Sequence, residues 1–205
     1  MRGTGTGSTA VVSNQVVVSV PNGTQAADVM VAEIAVRGGS STIITAPPGW
    51  TLVRRDNSAR TIAQAIYSRV VPGSPPEPSS YTWTFSTGND AAGGIAAYVG
   101  VSNVVAVDAS NGQGNISSTS IAAPSVTVPT GNTSDLLLGL FSIANSSNVT
   151  LPPGMTQRWS FHAAGGGVGV AAADLQLVSD GATGNQAATA ATAALNVGAL
   201  VALLP

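Results

Sequence analysis

The chain of 205 residues contains no cysteine and no lysine. Without cysteine it forms neither a disulfide nor a thiolate metal site, so packing alone must hold it together, and its compartment stays open. All seven basic residues are arginines, nine acids bring the net charge to −2, and charged residues make up 8% of the chain, against about 25% in an average domain. So few cations cannot follow a phosphate backbone, which excludes nucleic acid as a partner. Aromatics are also scarce, at 4%. The surface must therefore be built from Ser, Thr, Asn, Gln, Gly and Ala, a neutral covering with little repulsion between copies. Long apolar runs are missing too. The nearest, residues 193–204, is broken by Asn196 and Gly198 and falls short of the roughly 18 residues of a membrane helix, so no membrane partner is expected. Residues 1–8 carry one arginine and no apolar stretch, which predicts that they are not a secretory signal.

What the chain does have, it has twice. Val18-Ser19-Val20-Pro21, a Gly/Thr loop and Asp28 opening an apolar run recur as Val126-Thr127-Val128-Pro129, a Gly/Thr loop and Asp135. Pro47-Pro48-Gly49-Trp50 answers to Pro152-Pro153-Gly154-Met155, and Gly94-Ile95-Ala96 to Gly198-Ala199-Leu200. The spacing drifts from 108 residues (Pro21 to Pro129) to 104 (Gly94 to Gly198), as a few loop deletions would produce. Short Val/Ile/Thr-rich runs between Gly/Pro/Asn/Ser clusters are the pattern of an all-β chain. They predict strands near 15–20, 28–37, 50–55, 61–71, 80–86 and 92–101, then 124–129, 135–144, 155–160, 167–178, 187–193 and 197–204. The fold expected is a pseudo-twofold duplicated β-sandwich, jelly-roll-like, of about twelve strands. Its repeats are 15–101 and 124–204, joined by a crossing segment. One copy alone has few large apolar side chains with which to cover its own sheet, which favours a single joint core.

Strand 80–86 alternates Tyr81, Trp83 and Phe85 with Thr82, Thr84 and Ser86, so the three aromatics share one face and are expected in the core. The runs at 29–36, 136–141 and 200–204 are largely apolar on both faces, as in strands covered on both sides by added layers or by a neighbouring subunit, or as in strands whose small Ala and Gly side chains face solvent.

The inventory for chemistry is poor. His162 is the only histidine, and no Gly-x-Ser-x-Gly elbow accompanies it, so it reads as a turn residue rather than a base. The glutamates are Glu33 and Glu77, the latter in the extended loop Pro75-Pro76-Glu77-Pro78. Glu33 lies in an apolar strand where an unpaired charge is costly and needs a partner. Arg69 is the candidate, because the repeat replaces the pair by Leu140 and Gln176 together; a structural Glu33–Arg69 ion pair is expected. Asp56-Asn57-Ser58, Asn89-Asp90 and Ser179-Asp180-Gly181 lack the spaced acids of a calcium loop. Gly165-Gly166-Gly167 has neither the Lys-Ser/Thr nor the helix of a phosphate loop. Asn-x-Ser/Thr triplets at Asn22, Asn115, Asn132, Asn145 and Asn148 are what chance gives in so Asn- and Thr-rich a chain. No catalytic residue, metal site or cofactor is expected, and the chain reads as a non-enzyme.

The segments 47–53, Ser80-Tyr81-Thr82-Trp83-Thr84-Phe85, 92–101 and Val107-Asp108-Ala109, with the weaker second half, resemble a group of β-sandwich proteins encoded by bacteria and tailed bacteriophages. The resemblance runs from about residue 15 to the end. It rests on scaffold motifs and carries over no site residue; the second copy departs from it in replacing Trp50 by Met155. It implies a structural or attachment protein on a virion surface, such as a head decoration or fibre component, with the bacterial cell surface as the alternative location. The expected partners are copies of the chain itself and a capsid or tail protein. The alternative function is a carbohydrate-binding module or adhesin, with a glycan partner. That would require Trp50, Tyr67, Trp83 or Trp159 to stand out into solvent. The Gly/Thr/Ser-rich residues 1–14 are expected to form an extended arm that is unstructured alone and lies across another chain.

Overall fold

A computed structural model describes residues 1–9, 11–131 and 134–205, so Asn132 lies outside the described residues. Among those residues there are sixteen strands, every pairing antiparallel, and no α-helix. The first half holds β1 (Gly3–Ser8), β2 (Ser13–Ser19), β3 (Val29–Arg37), β4 (Ile44–Thr45), β5 (Thr51–Ser58), β6 (Ile62–Val70), β7 (Ser80–Asn89) and β8 (Ala91–Tyr98). The second holds β9 (Val107–Ala123), β10 (Thr127–Val128), β11 (Leu136–Ile143), β12 (Val149–Thr150), β13 (Thr156–His162), β14 (Gly169–Gln176), β15 (Gly181–Ala182) and β16 (Gln186–Leu203).

In the first half a large sheet runs β1-β8-β3-β6-β5 and a small one β2-β7-β4. The neighbours 1-8-3-6 and 2-7-4 are the wrapped pairing of a jelly roll, with β5 laid beside β6. The second half repeats the order with two fusions. The start of β9 takes the place of β1 and its end that of β2, while the start of β16 takes the place of β7 and its end that of β8. Pairing shifts near Thr189, Ala194 and Asn196 mark where these long strands pass from the small layer to the large one. Even the irregularities repeat. β5 bulges between Leu52 and Arg54, and β13 between Gln157 and Trp159, at matching registers. Both Pro-Pro-Gly turns close alike, with Trp50 N donating to Pro47 O and Met155 N to Pro152 O. Gly49 and Gly154 take φ of 85° and 84°, a conformation that excludes most other residues.

The two large sheets stack face to face with the small sheets outside, giving four layers and three apolar cores. A private core of the first half joins Val16, Val18, Met30, Ile34, Trp50, Tyr67, Tyr81, Trp83 and Phe85. The second half's private core joins Ile121, Val126, Leu137, Phe141, Ile143 and Leu200. Between the large sheets lies a joint core of Val31, Ala35, Ile62, Ile66, Tyr98, Leu138, Leu140, Trp159, Val170, Val197 and Val201. The contacts across it are reciprocal, β5 touching β9 and β13 touching β1. Arg37 Nη1 donates to the carbonyl of Ala144, its own counterpart, at 3.0 Å. The joint core thus lies between two sandwiches that each keep a core of their own. It also explains the two-sided apolar strands: β3, β11 and the end of β16 are covered on both faces by layers of the same chain.

Two sequence expectations are corrected here. Residues 3–8 do not form an arm on another chain; they are the edge strand β1, in register with Ala92–Ala97 of β8. Gly5 and Gly7 belong there because a Cβ at either would overlap the backbone carbonyl of Ser19 or Val17 in β2. The glycines serve close packing between layers, not disorder. The crossing segment is likewise not a linker beyond residue 106. It contains the 17-residue strand β9, so the second repeat begins near 107 rather than 124.

Candidate functional site

Glu33 is fully buried on the joint-core face of β3. It does not pair with Arg69. The register sets Glu33 opposite Ile66 and Arg69 opposite Met30, three residues apart along β3, which puts the two on opposite faces of the sheet. Instead Gln64 Nε2 donates to Glu33 Oε1 at 2.6 Å and to Ser142 Oγ at 2.8 Å, and Trp159 Nε1 donates to Glu33 Oε2 at 3.0 Å. The indole lies flat on β8: a Cβ on Gly94 would stand 2.5 Å from Trp159 Cε2. These four residues come from β3 and β6 of one half and β11 and β13 of the other. Burial pushes the Glu33 carboxyl from 4.5 up to about 8, and the Trp159 and Gln64 hydrogen bonds offset only part of this. Glu33 is therefore a neutral acid at pH 7. Gln64 Oε1 is buried without a hydrogen-bond partner.

Arg69 sits on the other side of the large sheet, where it binds Glu77, with Nη2 to Oε1 at 2.8 Å. Its guanidinium centre lies 5.4 Å from the centre of the Tyr81 ring, a cation–π contact, and its tip fills the space above Gly49. Tyr81 donates its hydroxyl to Glu77 as well. Burial, then Glu77, holds the Tyr81 phenol well above its ordinary value. Glu77 is thus the anchor of its proline-rich loop rather than a solvated residue. Tyr81, Trp83 and Phe85 are 8%, 0% and 6% exposed. Trp83 lies in a cluster with Trp50, Tyr67 and Tyr81 at centroid distances of 5.2–6.3 Å. Trp50, Tyr67 and Trp159 are buried too, so among the described residues none of these rings stands in solvent as sugar stacking would need.

A cavity of about 450 Å³ opens at one end of the joint core, lined by Met1, Tyr98, Arg158, Asp174, Gln176 and Leu203 among others. Its charges satisfy one another: Arg158 grips both carboxylate oxygens of Asp174, and Tyr98 donates to Oδ2 at 3.1 Å. Burial and then the Asp174 charge hold the Tyr98 phenol well above its ordinary range. The matching opening at the other end has Val53 and Ser68 in place of Arg158 and Asp174.

His162 is exposed at the end of β13 with Nδ1 near Ala163 O at 3.1 Å. Gly165 and Gly167 make room for the Asp90 carboxylate, which a Cβ at either position would overlap. The glycine run is a seat for a side chain of the other half. Gly131 N donates to Asp180, and Arg54 binds Asp56 while reaching Gly112 O. No signal in the sequence pointed to Gln64 or Ser142; only the register brings them to Glu33. No protein-family model and no curated protein matches the chain.

Proposed function

We propose that the chain is a non-enzymatic structural protein of a bacteriophage virion surface, a capsid decoration or other head or tail surface protein that packs against its own copies and a shell or tail protein. The observation that carries this reading is where the ionisable groups lie. Four ion pairs are spent inside the fold: Arg158 with Asp174 joins β13 to β14, Arg2 with Asp28 joins the entries to β1 and β3, Arg69 with Glu77 clamps the 75–78 loop to β6, and Arg54 with Asp56 is a pair along β5. The outer faces of the small sheets carry no charged side chain. Gln15, Val17 and Ser19 lie beside Thr82, Thr84 and Thr45 on one, and Ser118 and Ser120 beside Ala187 and Thr189 on the other. Two such faces on opposite sides of one layered molecule suit packing into a repeated array, where like-charged faces would repel. The motifs 47–53 and 80–85 that resemble phage and bacterial β-sandwich proteins build the first private core, which fits a shared scaffold. The test is mass spectrometry and electron cryo-microscopy of virions released from cells carrying this sequence. The chain is expected at many copies per particle in a regular array. Its absence from purified particles while abundant in the lysate would overturn the reading.

A further inference from the structure

We infer that Gln64 and Ser142 become joined by an ester that locks the two halves together, formed by the Ser142 hydroxyl attacking the Gln64 side-chain amide with loss of ammonia. Ser142 Oγ is 2.8 Å from Gln64 Nε2, and the amide carbon lies one bond behind that nitrogen. The last torsion of a glutamine side chain is broad, so a rotation there turns the face of the amide toward Oγ, and a further adjustment of the inner torsions is needed to bring the carbon to the separation of about 3–3.5 Å at which such attacks begin. Glu33 Oε1 lies 2.6 Å from the same nitrogen, and the Trp159 indole N–H fixes its other oxygen.

The exchange balances within this cluster. The bond from Ser142 Oγ to the Gln64 amide carbon forms, and the bond from that carbon to Nε2 breaks. Glu33, kept protonated by its burial, gives its proton to the departing nitrogen, the hydroxyl proton passes to the same nitrogen, 2.8 Å from Oγ, and the ammonium so formed returns one proton to Glu33, which ends as it began. Ammonia escapes to water, where it is protonated and diluted, which draws the reaction forward. Ser142, Gln64 and Glu33 are all buried, so water that would hydrolyse the product is kept away.

The duplication argues that this cluster is not simply how the scaffold packs. At the pseudosymmetric position the counterparts of Glu33, Gln64 and Ser142 are Leu140, Val170 and Ala35, all in the joint core, and the counterpart of Trp159 is Arg54, which turns to Asp56. The same fold therefore closes there with apolar residues. At the polar copy, Gln64 Oε1 is left buried without a partner, an uncompensated cost of the unreacted amide. Converting the amide to an ester replaces that oxygen by a weaker acceptor and removes two buried N–H groups.

The test is the mass of the full purified chain after incubation in the folded state, followed by tryptic mapping. An intact mass lower than that of the sequence by one ammonia is expected. Cleavage after Arg60, Arg69 and Arg158 should leave residues 61–69, which hold Gln64, attached to residues 70–158, which hold Ser142. Ser142→Ala should restore the full mass, Ser142→Thr should retain the link, and Glu33→Gln should slow its formation at least ~100-fold. A wild-type chain of full mass with a free 61–69 peptide would overturn the inference, whatever the variants do. So would the mass gain of simple deamidation at Gln64, or an ammonia loss that maps to Asn22-Gly23 or Asn111-Gly112.

Discussion

The first half fills its private core with Trp50, Tyr67, Tyr81, Trp83 and Phe85, whereas the matching positions of the second half carry Met155, Ala173, Gln186, Ala188 and Ala190. The space is refilled from other strands. Phe141 stands where the first half has Ile34, and a Cβ on Gly139 would lie 2.9 Å from its ring. The strand order, the β5/β13 bulge and the Pro-Pro-Gly turns are the same in both halves. Register and turn geometry thus fix the wrap, while the core needs only enough apolar volume in compatible shapes.

Removing the aromatic centre should break this comparison most severely. Trp83→Ala should cost about 3–5 kcal/mol in a urea titration, while Ile143→Val in the second half should cost about 0.5–1.5 kcal/mol. A small loss at Trp83 would mean that the first private core collapses around the gap. Next is the bulged residue, which is Arg158 in one half and Val53 in the other. Arg158→Ala strands Asp174 as a buried, unmatched carboxylate. It should cost about 3 kcal/mol, the low end for a broken buried pair because the arginine is partly exposed. Val53→Ala should cost about 1 kcal/mol.

Acidity separates the halves further. Where the first half pairs Arg2 with Asp28, the second sets Asp108 beside Asp135. Burial, then Asp108, lifts the Asp135 carboxyl from 3.8 to about 6. Between those values the unfolded chain has released a proton that the folded chain keeps, so stability falls as pH rises through this window. Glu33 acts with the same sign between 4.5 and about 8. Stability should therefore decline from acid pH to about pH 8 and then level off. Glu33→Gln should flatten the decline above about pH 6, read as urea midpoints across the range. A slope unchanged in Glu33→Gln would mean that another group titrates. The smallest effect is expected from Asp108→Arg, which copies the first half's ion pair into the second. It should flatten the lower window and add about 1 kcal/mol at neutral pH.

Most of the wrap could be read from the residues because it depends on alternation and repetition. Tyr81-Thr82-Trp83-Thr84-Phe85 displays its buried face, and the two-sided runs at β3, β11 and β16 announce cover on both sides. β1 and β9 were hidden for opposite reasons. In β1 the glycines that let β2 approach look like a flexible tail. In β9 a Ser/Asn/Gly-rich edge strand, mostly half-buried or exposed, carries almost no apolar signal. The partner of Glu33 was illegible because Glu33 and Arg69 disappear together from the second half for separate reasons. One serves the contact between halves, and the other clamps the 75–78 loop. Distinguishing them takes knowledge of which face each residue occupies, and that follows from pairing register rather than from either strand alone.

β16 lies between β9 and β11 in its sheet, yet it is the last strand of the described chain to be synthesised. The first half's large sheet emerges from the ribosome well before its covering layer is complete. At roughly 5–20 residues per second, the remaining hundred or so residues take about 5–20 s. Throughout that interval the valine- and isoleucine-lined inner face of β3 and β6 is bare, so the nascent chain passes through an adhesive stage that the finished molecule conceals.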